Sequence, residues 1–334
     1  MKKHYQYLLK QGVKKKRRRR ALVSLLITTL IGSVFFYMFT TYSSLMEIYS
    51  GFNRDKSKLR VGDVHIAKEP FSVLIMGIEE YATDNQNGRT DTLIYSIINP
   101  KTKKVSLMSI PRDSLVTISE RNTKNKINAA HAYGGEKMAI ETVEDFLQVP
   151  VDHYVKINFD GFKKIVDSVD GITVDVPFDF KERSDIDYYK LIEFKQGQQM
   201  LNGEEALAYV RMRKDDPKGD HGRADRQRQV ITAVAHKLNS TSTVFKIKDL
   251  SEIMAKHIKT SIPVSAGISL YKNFSGFNPS DIQTIHLEGE DKKINNIYYF
   301  IPDEKELQNI RTTLLKNLGQ EELDLNSTKT NVNI

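Results

Sequence analysis

The sequence predicts an α/β domain, a central mixed β-sheet covered by helices on both faces, carried behind one N-terminal transmembrane helix. Three observations lead there. Short apolar runs closed by glycine or proline alternate with segments whose apolar residues recur at helical spacing, the pattern of strands and helices sharing one core. A stretch of 26 residues, 21–46, contains no charge. All of the chain's excess positive charge lies ahead of that stretch.

Residues 1–20 hold ten basic groups, among them Lys14, Lys15, Lys16 and Arg17 to Arg20, and no acidic one. Positive charge stays on the cytoplasmic side of a span, so this tail reads as a cytoplasmic orientation signal, able to touch anionic lipid. Everything after Glu47 is then external. A bilayer-crossing helix needs roughly 20 apolar residues, so 21–46 is long enough with some tilt. Tyr37 and Tyr42 lie toward its far end, where interfacial aromatics are common. A cleaved signal peptide is the alternative, but its apolar core is usually only about 7–15 residues. Residues 47–69, mixed and polar, read as a stalk. The expected product is a single-pass cell-membrane protein with its N-terminus inside and its body, residues 70–318, outside.

Within the body, Phe71 to Gly77, Thr92 to Ile98 and Val105 to Ile110 read as strands, and so do Val151 to Ile157 and Gly171 to Pro177. A helix follows Gly134-Gly135, with Ala139, Ile140, Val143 and Leu147 on one face; others cover Asn202 to Val210 and about Ala224 to Leu238. Past residue 240 the pattern weakens, although 249–259, 281–287 and 304–317 look ordered. Residues 319–334 form a polar tail expected to fray.

Composition removes several function classes. At 40% hydrophobic and 28% charged residues, 334 residues make an ordinary globular protein, not a disordered one. Without cysteine there is no disulfide, thiolate nucleophile, zinc knuckle or iron–sulfur site. The net charge of +8 belongs to the tail, because residues 21–334 carry 40 basic and 42 acidic groups. A basic nucleic-acid-binding body is not supported, and no nucleic-acid partner is expected.

Three clusters bear chemistry. Glu79 lies just past the first strand and Asp91 opens the second, so their carboxylates can converge beyond strand ends, where open α/β sheets bind ligands. Two hard oxygen donors with room for water suit Mg²⁺ or Mn²⁺, with a substrate phosphate completing the shell; a turn cap and a solvated glutamate would leave the same spacing. In Ser109-Ile-Pro-Arg112-Asp113, Pro111 stops the ladder and can aim Arg112 at the same rim. In the third cluster, Arg223, Gln227, Ile231, Val234 and Leu238 share one helix stripe, which puts a guanidinium and an amide on the core-facing side. Buried arginine needs a carboxylate or phosphate, which leaves an anion site or an internal salt-bridge network around Asp225. His131, His153 and His221 show neither metal nor triad spacing and read as structural or surface residues.

Taken in succession, Met76-Gly-Ile-Glu79, Gly88-Arg89-Thr-Asp91-Thr, Ser109-Ile-Pro-Arg112-Asp, Lys126-Ile-Asn-Ala-Ala-His-Ala-Tyr-Gly-Gly135, Arg211-Met-Arg213 and Gly222-Arg223-Ala-Asp-Arg-Gln227 resemble the LytR-CpsA-Psr family. The matching blocks span residues 70–240; 241–334 carries no matching motif. The resemblance implies the family's α/β/α fold and a phosphotransferase of Gram-positive cell walls, which moves a glycopolymer such as wall teichoic acid from an undecaprenyl pyrophosphate carrier to peptidoglycan as a phosphodiester. By the same resemblance Glu79 and Asp91 hold the metal, Glu79 standing where the family usually has aspartate. The resemblance also implies that Arg89, Arg112, Arg211, Arg213 and Arg223, with Gln227, bind pyrophosphate, and that Asp91 and Arg112 are catalytic. Asp91 or a metal-bound hydroxide would help deprotonate the acceptor, and an apolar tunnel would take the polyprenyl chain. A polyprenyl pyrophosphate hydrolase, a non-catalytic wall attenuator and a sensor of lipid pyrophosphate are the rival readings.

Overall fold

The structure, a computed structural model, describes residues 36–51, 56–79, 88–187, 189–213, 215–238, 247–274, 277–278 and 281–320. Residues 36–48 are helical. Then follow β1 (Phe71–Ile78), β2 (Thr90–Asn99), β3 (Lys104–Ser109), β4 (Leu115–Ile118), β5 (Thr123–Lys126), α1 (Ala129–Leu147), β6 (His153–Asn158) and α2 (Phe159–Ser168). The middle of the chain gives β7 (Ile172–Val176), β8 (Phe180–Arg183), β9 (Leu191–Phe194), β10 (Gly197–Leu201), α3 (Gly203–Arg211) and α4 (Asp220–Leu238). The last part gives α5 (Ile247–His257), β11 (Ile258–Thr260), α6 (Val264–Asn273), β12 (Ile282–Ile285), β13 (Gly289–Ile294), β14 (Ile297–Pro302) and α7 (Glu304–Asn317).

Six strands make the central sheet in the order β11-β6-β1-β2-β3-β12. It is mixed: β1 and β6, and β3 and β12, pair parallel, while β1–β2, β2–β3 and β6–β11 pair antiparallel. Successive side chains of β1 point to opposite faces, and both faces are covered, which is why its sequence reads as one apolar run. On one face Leu74, Met76, Leu93, Tyr95 and Met108 pack with Ala139, Ile140, Val143 and Leu147 of α1 and with Leu307, Ile310 and Leu314 of α7. On the other, Ile75, Ile94 and Leu107 meet Ile231 of α4, and Ile75 also packs near Ala266 and Leu270 of α6.

A second core lies beyond α4. Phe180, Phe194 and Tyr209 stack there, with Phe180–Phe194 ring centroids 4.5 Å apart, among Val166 of α2, Val174 of β7 and Val230 of α4. Asn202 and Glu205 close a capping box at the start of α3, which sets where that helix begins. Ahead of β1, Arg60 donates to both Asp152 carboxylate oxygens at 2.9 and 2.7 Å and pins residues 56–70 to the base of the sheet. Among the described residues no helix is long and apolar enough to cross a membrane; most of the expected span, 21–35, and the basic tail lie outside them.

Candidate active site

Strands β1 and β2 are antiparallel neighbours, with Ile78 opposite Thr90 and a register shift at Gly77/Ile78. Glu79 and Asp91 therefore emerge at the same end of the sheet, with their carboxyl groups close enough to affect each other's ionisation. Burial raises the Glu79 pKa, the Asp91 carboxylate raises it further, and Arg211 and Arg112 partly oppose both. A pair of like charges held this close is a natural seat for a cation. Among the described residues no cluster of three or more metal-ligating side chains forms, so a divalent ion here would need phosphate or water oxygens to complete its shell.

The chain fixes this pair through glycines. A Cβ on Gly88 would stand 2.4 Å from the Glu79 carbonyl oxygen, so only glycine permits the approach. The Gly88 carbonyl accepts a hydrogen bond from His131 Nδ1 at 2.7 Å. His131 belongs to a short first segment of α1 that kinks away from the rest at Gly134 and Gly135, the latter at φ +65° and ψ −154°, a conformation open to glycine alone. The kink and the buried histidine thus act together on the loop that carries Asp91.

Arginines gather beside the carboxylates. Leaving β3 at Pro111, Arg112 donates from Nη1 to Asp91 Oδ1 at 2.6 Å. Asp113, nearly buried, accepts from Lys126 at 2.7 Å and from Arg213 at 2.7 Å; burial works to raise its pKa, but these two donors hold it below the ordinary carboxylate value. The Arg213 guanidinium also lies 4.8 Å from the Tyr298 ring centroid, and Arg211 lies 5.6 Å from that of Phe159. Arg223 donates to the Asp91 backbone carbonyl at 2.5 Å, and Gln227 accepts from Ser109 at 3.0 Å and donates to Thr92 at 3.3 Å. Both are buried, on the core-facing stripe that their spacing predicts. Arg89 is exposed at the entrance to β2.

The structure therefore brings Glu79, Asp91, Arg112, Arg211, Arg213, Arg223 and Gln227 to one end of the sheet. Asp91, Arg112, Arg223 and Gln227 line a single cleft there, together with His221, His286 and Phe300. Reasoning on the sequence misses the last two, which come from the C-terminal part, and misses what holds the arginines in place. Arg226, fully buried, pairs with buried Asp216 and donates to the carbonyls of Tyr209 at 3.0 Å and Met212 at 2.5 Å. The internal ion pair thus runs to Asp216, while Asp225 faces Arg228 at 3.8 Å.

On the α4 face of the sheet lies an apolar cavity of about 1390 Å³, counting its open mouth. Its walls include Leu45 and Ile48 of the first helix, Val155 of β6, Leu238 of α4, Met254 of α5 and Ile268 of α6. Ile75 is only half-buried although it sits in the middle of the sheet, and Ile231 above that face is half-buried as well, while Val234 turns toward the second core.

Known proteins give this arrangement a context. The family model described as the LytR_cpsA_psr family matches residues 35–316. The polyisoprenyl-teichoic acid–peptidoglycan teichoic acid transferase TagV of Bacillus subtilis is 46% identical over 84% of this chain and 73% of its own length. The corresponding TagU of the same organism is 43% identical over 79% and 83%. The crystal structure of B. subtilis TagV superposes with a TM-score of 0.67, covering 76% of this chain and 99% of that one. A structure of TagT bound to LI-WTA, 30% identical, superposes at 0.66 over 81% and 99%. A matching family model across most of the chain, with close relatives in sequence and in fold, makes this chain a member of the LytR-CpsA-Psr family.

Proposed function

We propose that this chain transfers a glycopolymer of the teichoic-acid type from a polyprenyl pyrophosphate carrier to peptidoglycan, forming a phosphodiester. One observation carries the reading beyond kinship with the transferases TagV and TagU: a carboxylate pair and a group of arginines meet at one end of the sheet, while an apolar cavity opens on the sheet's α4 face. Pyrophosphate is dense negative charge on an apolar tail, and this chain supplies matching surfaces for each part.

Transfer from a pyrophosphate calls for neutralised charge on the leaving phosphate and an acceptor held in line with it. Arg112 and Arg223 present forked donors in the cleft, with Arg211 and Arg213 flanking it, and such forks match phosphate oxygens two at a time. Arg223 is buried, so it keeps one orientation, while Gln227 is held between Ser109 and Thr92. Asp113 fixes Arg213 and Lys126, so the cationic side is preset before substrate arrives. Glu79 and Asp91 would hold Mg²⁺ or Mn²⁺, whose chemistry is to neutralise phosphate charge. Ile75 and Ile231, half-buried on the sheet face where the cavity opens, would guide the polyprenyl tail from the phosphate end toward it.

Residues 21–46 are read as the membrane span, which places the chain in the cell membrane with residues 1–20 cytoplasmic and the body outside. The helix at 36–48 runs from that segment to the cavity wall, so a carrier confined to the bilayer would reach the site without leaving the apolar phase. The test is product analysis with a lipid-pyrophosphate glycan and peptidoglycan oligomers. Linked product supports transfer, free phosphorylated glycan supports a hydrolase, and unchanged bound lipid supports a sensor.

A further inference from the structure

Two imidazoles from segments 65 residues apart meet at the mouth of the cleft. His221 lies in the first turn of α4 and His286 follows β12; their ring centroids are 5.5 Å apart, and both line the cleft with Asp91, Arg112 and Arg223. His221 Nε2 stands 3.4 Å from Glu288 Oε2, and the His221 side chain is 41% exposed. The charged groups around it are Glu288 and His286 from the segment after β12, Asp91 of β2, Arg112 after β3, and Lys218 and Arg223 on either side of it in the chain.

Helix α4 gives this pair a direction. Its core-facing stripe starts beside His221 at the solvent rim, passes Arg223 and Gln227 at the cleft floor, then Ile231 and Val234, and ends at Leu238 in the wall of the apolar cavity. At the usual rise this is roughly 25 Å of helix. With the lipid tail at the Leu238 end and its phosphates at Arg223, the leaving lipid phosphate lies on the inner side. An in-line acceptor must then approach from the opposite, outer side, where His221 stands. Asp91 already accepts from Arg112 and lies beside the Glu79 carboxyl group, whereas His221 faces solvent.

We propose that His221 is the general base for the acceptor hydroxyl, with Glu288 as the positioning residue whose carboxylate pairs with the imidazolium. The proposal rests on the transferase reading above. The neutral His221 imidazole takes the hydroxyl proton, and the Glu288 carboxylate, 3.4 Å from Nε2, stabilises the imidazolium that forms. The acceptor oxygen forms a bond to the glycan-side phosphorus, the bond from that phosphorus to the bridging oxygen breaks, and the lipid monophosphate leaves with the electron pair. The imidazolium then returns its proton to solvent at the open rim.

The test uses the full chain in lipid nanodiscs with Mg²⁺, a lipid-pyrophosphate glycan and peptidoglycan oligomers, and compares wild type with His221→Gln, His286→Gln and Glu288→Gln. His221→Gln is expected to lower kcat by about 100-fold or more, leave the donor KM within about twofold, and abolish the acidic limb of the pH–rate profile. Glu288→Gln is expected to lower kcat by about tenfold and move that limb, with Glu288→Asp recovering part of the rate. His286→Gln, in the same cleft, is expected to lower kcat less than His221→Gln and to leave the acidic limb in place. An active wild type with an unaffected His221→Gln, an acidic limb that survives that substitution, or a loss confined to His286→Gln overturns the assignment. A wild type that forms no linked product overturns the transferase reading itself, and this one with it.

Discussion

Arg226 is the residue on which the arginine cluster depends, and its removal has a calculable cost. Its guanidinium donates to the Asp216 carboxylate and to the Tyr209 and Met212 carbonyls, and each side chain of the ion pair is 1% exposed. Met212 lies between Arg211 and Arg213, so the same contacts fix the chain that carries both. Arg226→Met leaves a carboxylate buried without its cation, which costs about 3–5 kcal/mol. For a domain of this size that corresponds to a melting temperature lower by roughly 6–20 °C. Thermal melting of the full chain in detergent, followed by circular dichroism, reads it. In an Asp216→Asn background the same substitution should cost about 2 kcal/mol less, because the buried charge is already gone while the Lys218 amide, which donates to Asp216 at 2.7 Å, keeps an acceptor. A loss below about 1 kcal/mol for Arg226→Met, or a fully additive cycle, would refute the reasoning.

Three further outcomes follow from the geometry. Asp113 has a folded pKa below its ordinary value, so its ionised form contributes stability that is present above the ordinary carboxylate range and is lost as pH falls through the folded value. The stability gap between wild type and Asp113→Asn should therefore be full near neutral pH and close below about pH 4, as read by urea titrations across pH. Gly88→Ala would drive a methyl against the Glu79 carbonyl; transfer should fall by about tenfold or more while the melting temperature moves little, and unchanged transfer would show that the Glu79 position is not needed. Val155→Trp should fill part of the apolar cavity and raise the KM for long-chain donors more than for short-chain ones, whereas equal effects on both would remove the cavity from the tail path.

The elements that the sequence revealed are those whose pattern is local. The β1 run and the stripe from Arg223 to Leu238 each repeat at one period, and a polar residue on an apolar stripe announces a buried partner, which is how Arg223 and Gln227 came into view. What lay hidden depends on long-range pairing. Strands β11 and β12, at the two edges of the sheet, are three and four residues long and come from a region of weak periodicity. Asp216 sits on a turn with no pattern to mark it as the partner of Arg226, and nothing local connects His221 with His286 or Arg213 with Tyr298. Gly134-Gly135 was legible as a helix start, while the structure shows a kink inside a longer helix, because the five residues ahead of it hold His131 against Gly88.

The most direct test of the central claim is mass spectrometry of the product formed by the full chain in nanodiscs from a lipid-pyrophosphate glycan, peptidoglycan oligomers and Mg²⁺, run beside Asp91→Ala and Arg112→Ala and repeated with the metal chelated. A phosphodiester-linked glycan–peptidoglycan product is expected from wild type, reduced by about 100-fold or more in both variants and absent after chelation. Free phosphorylated glycan without linkage, or linked product that persists in both variants, would contradict it.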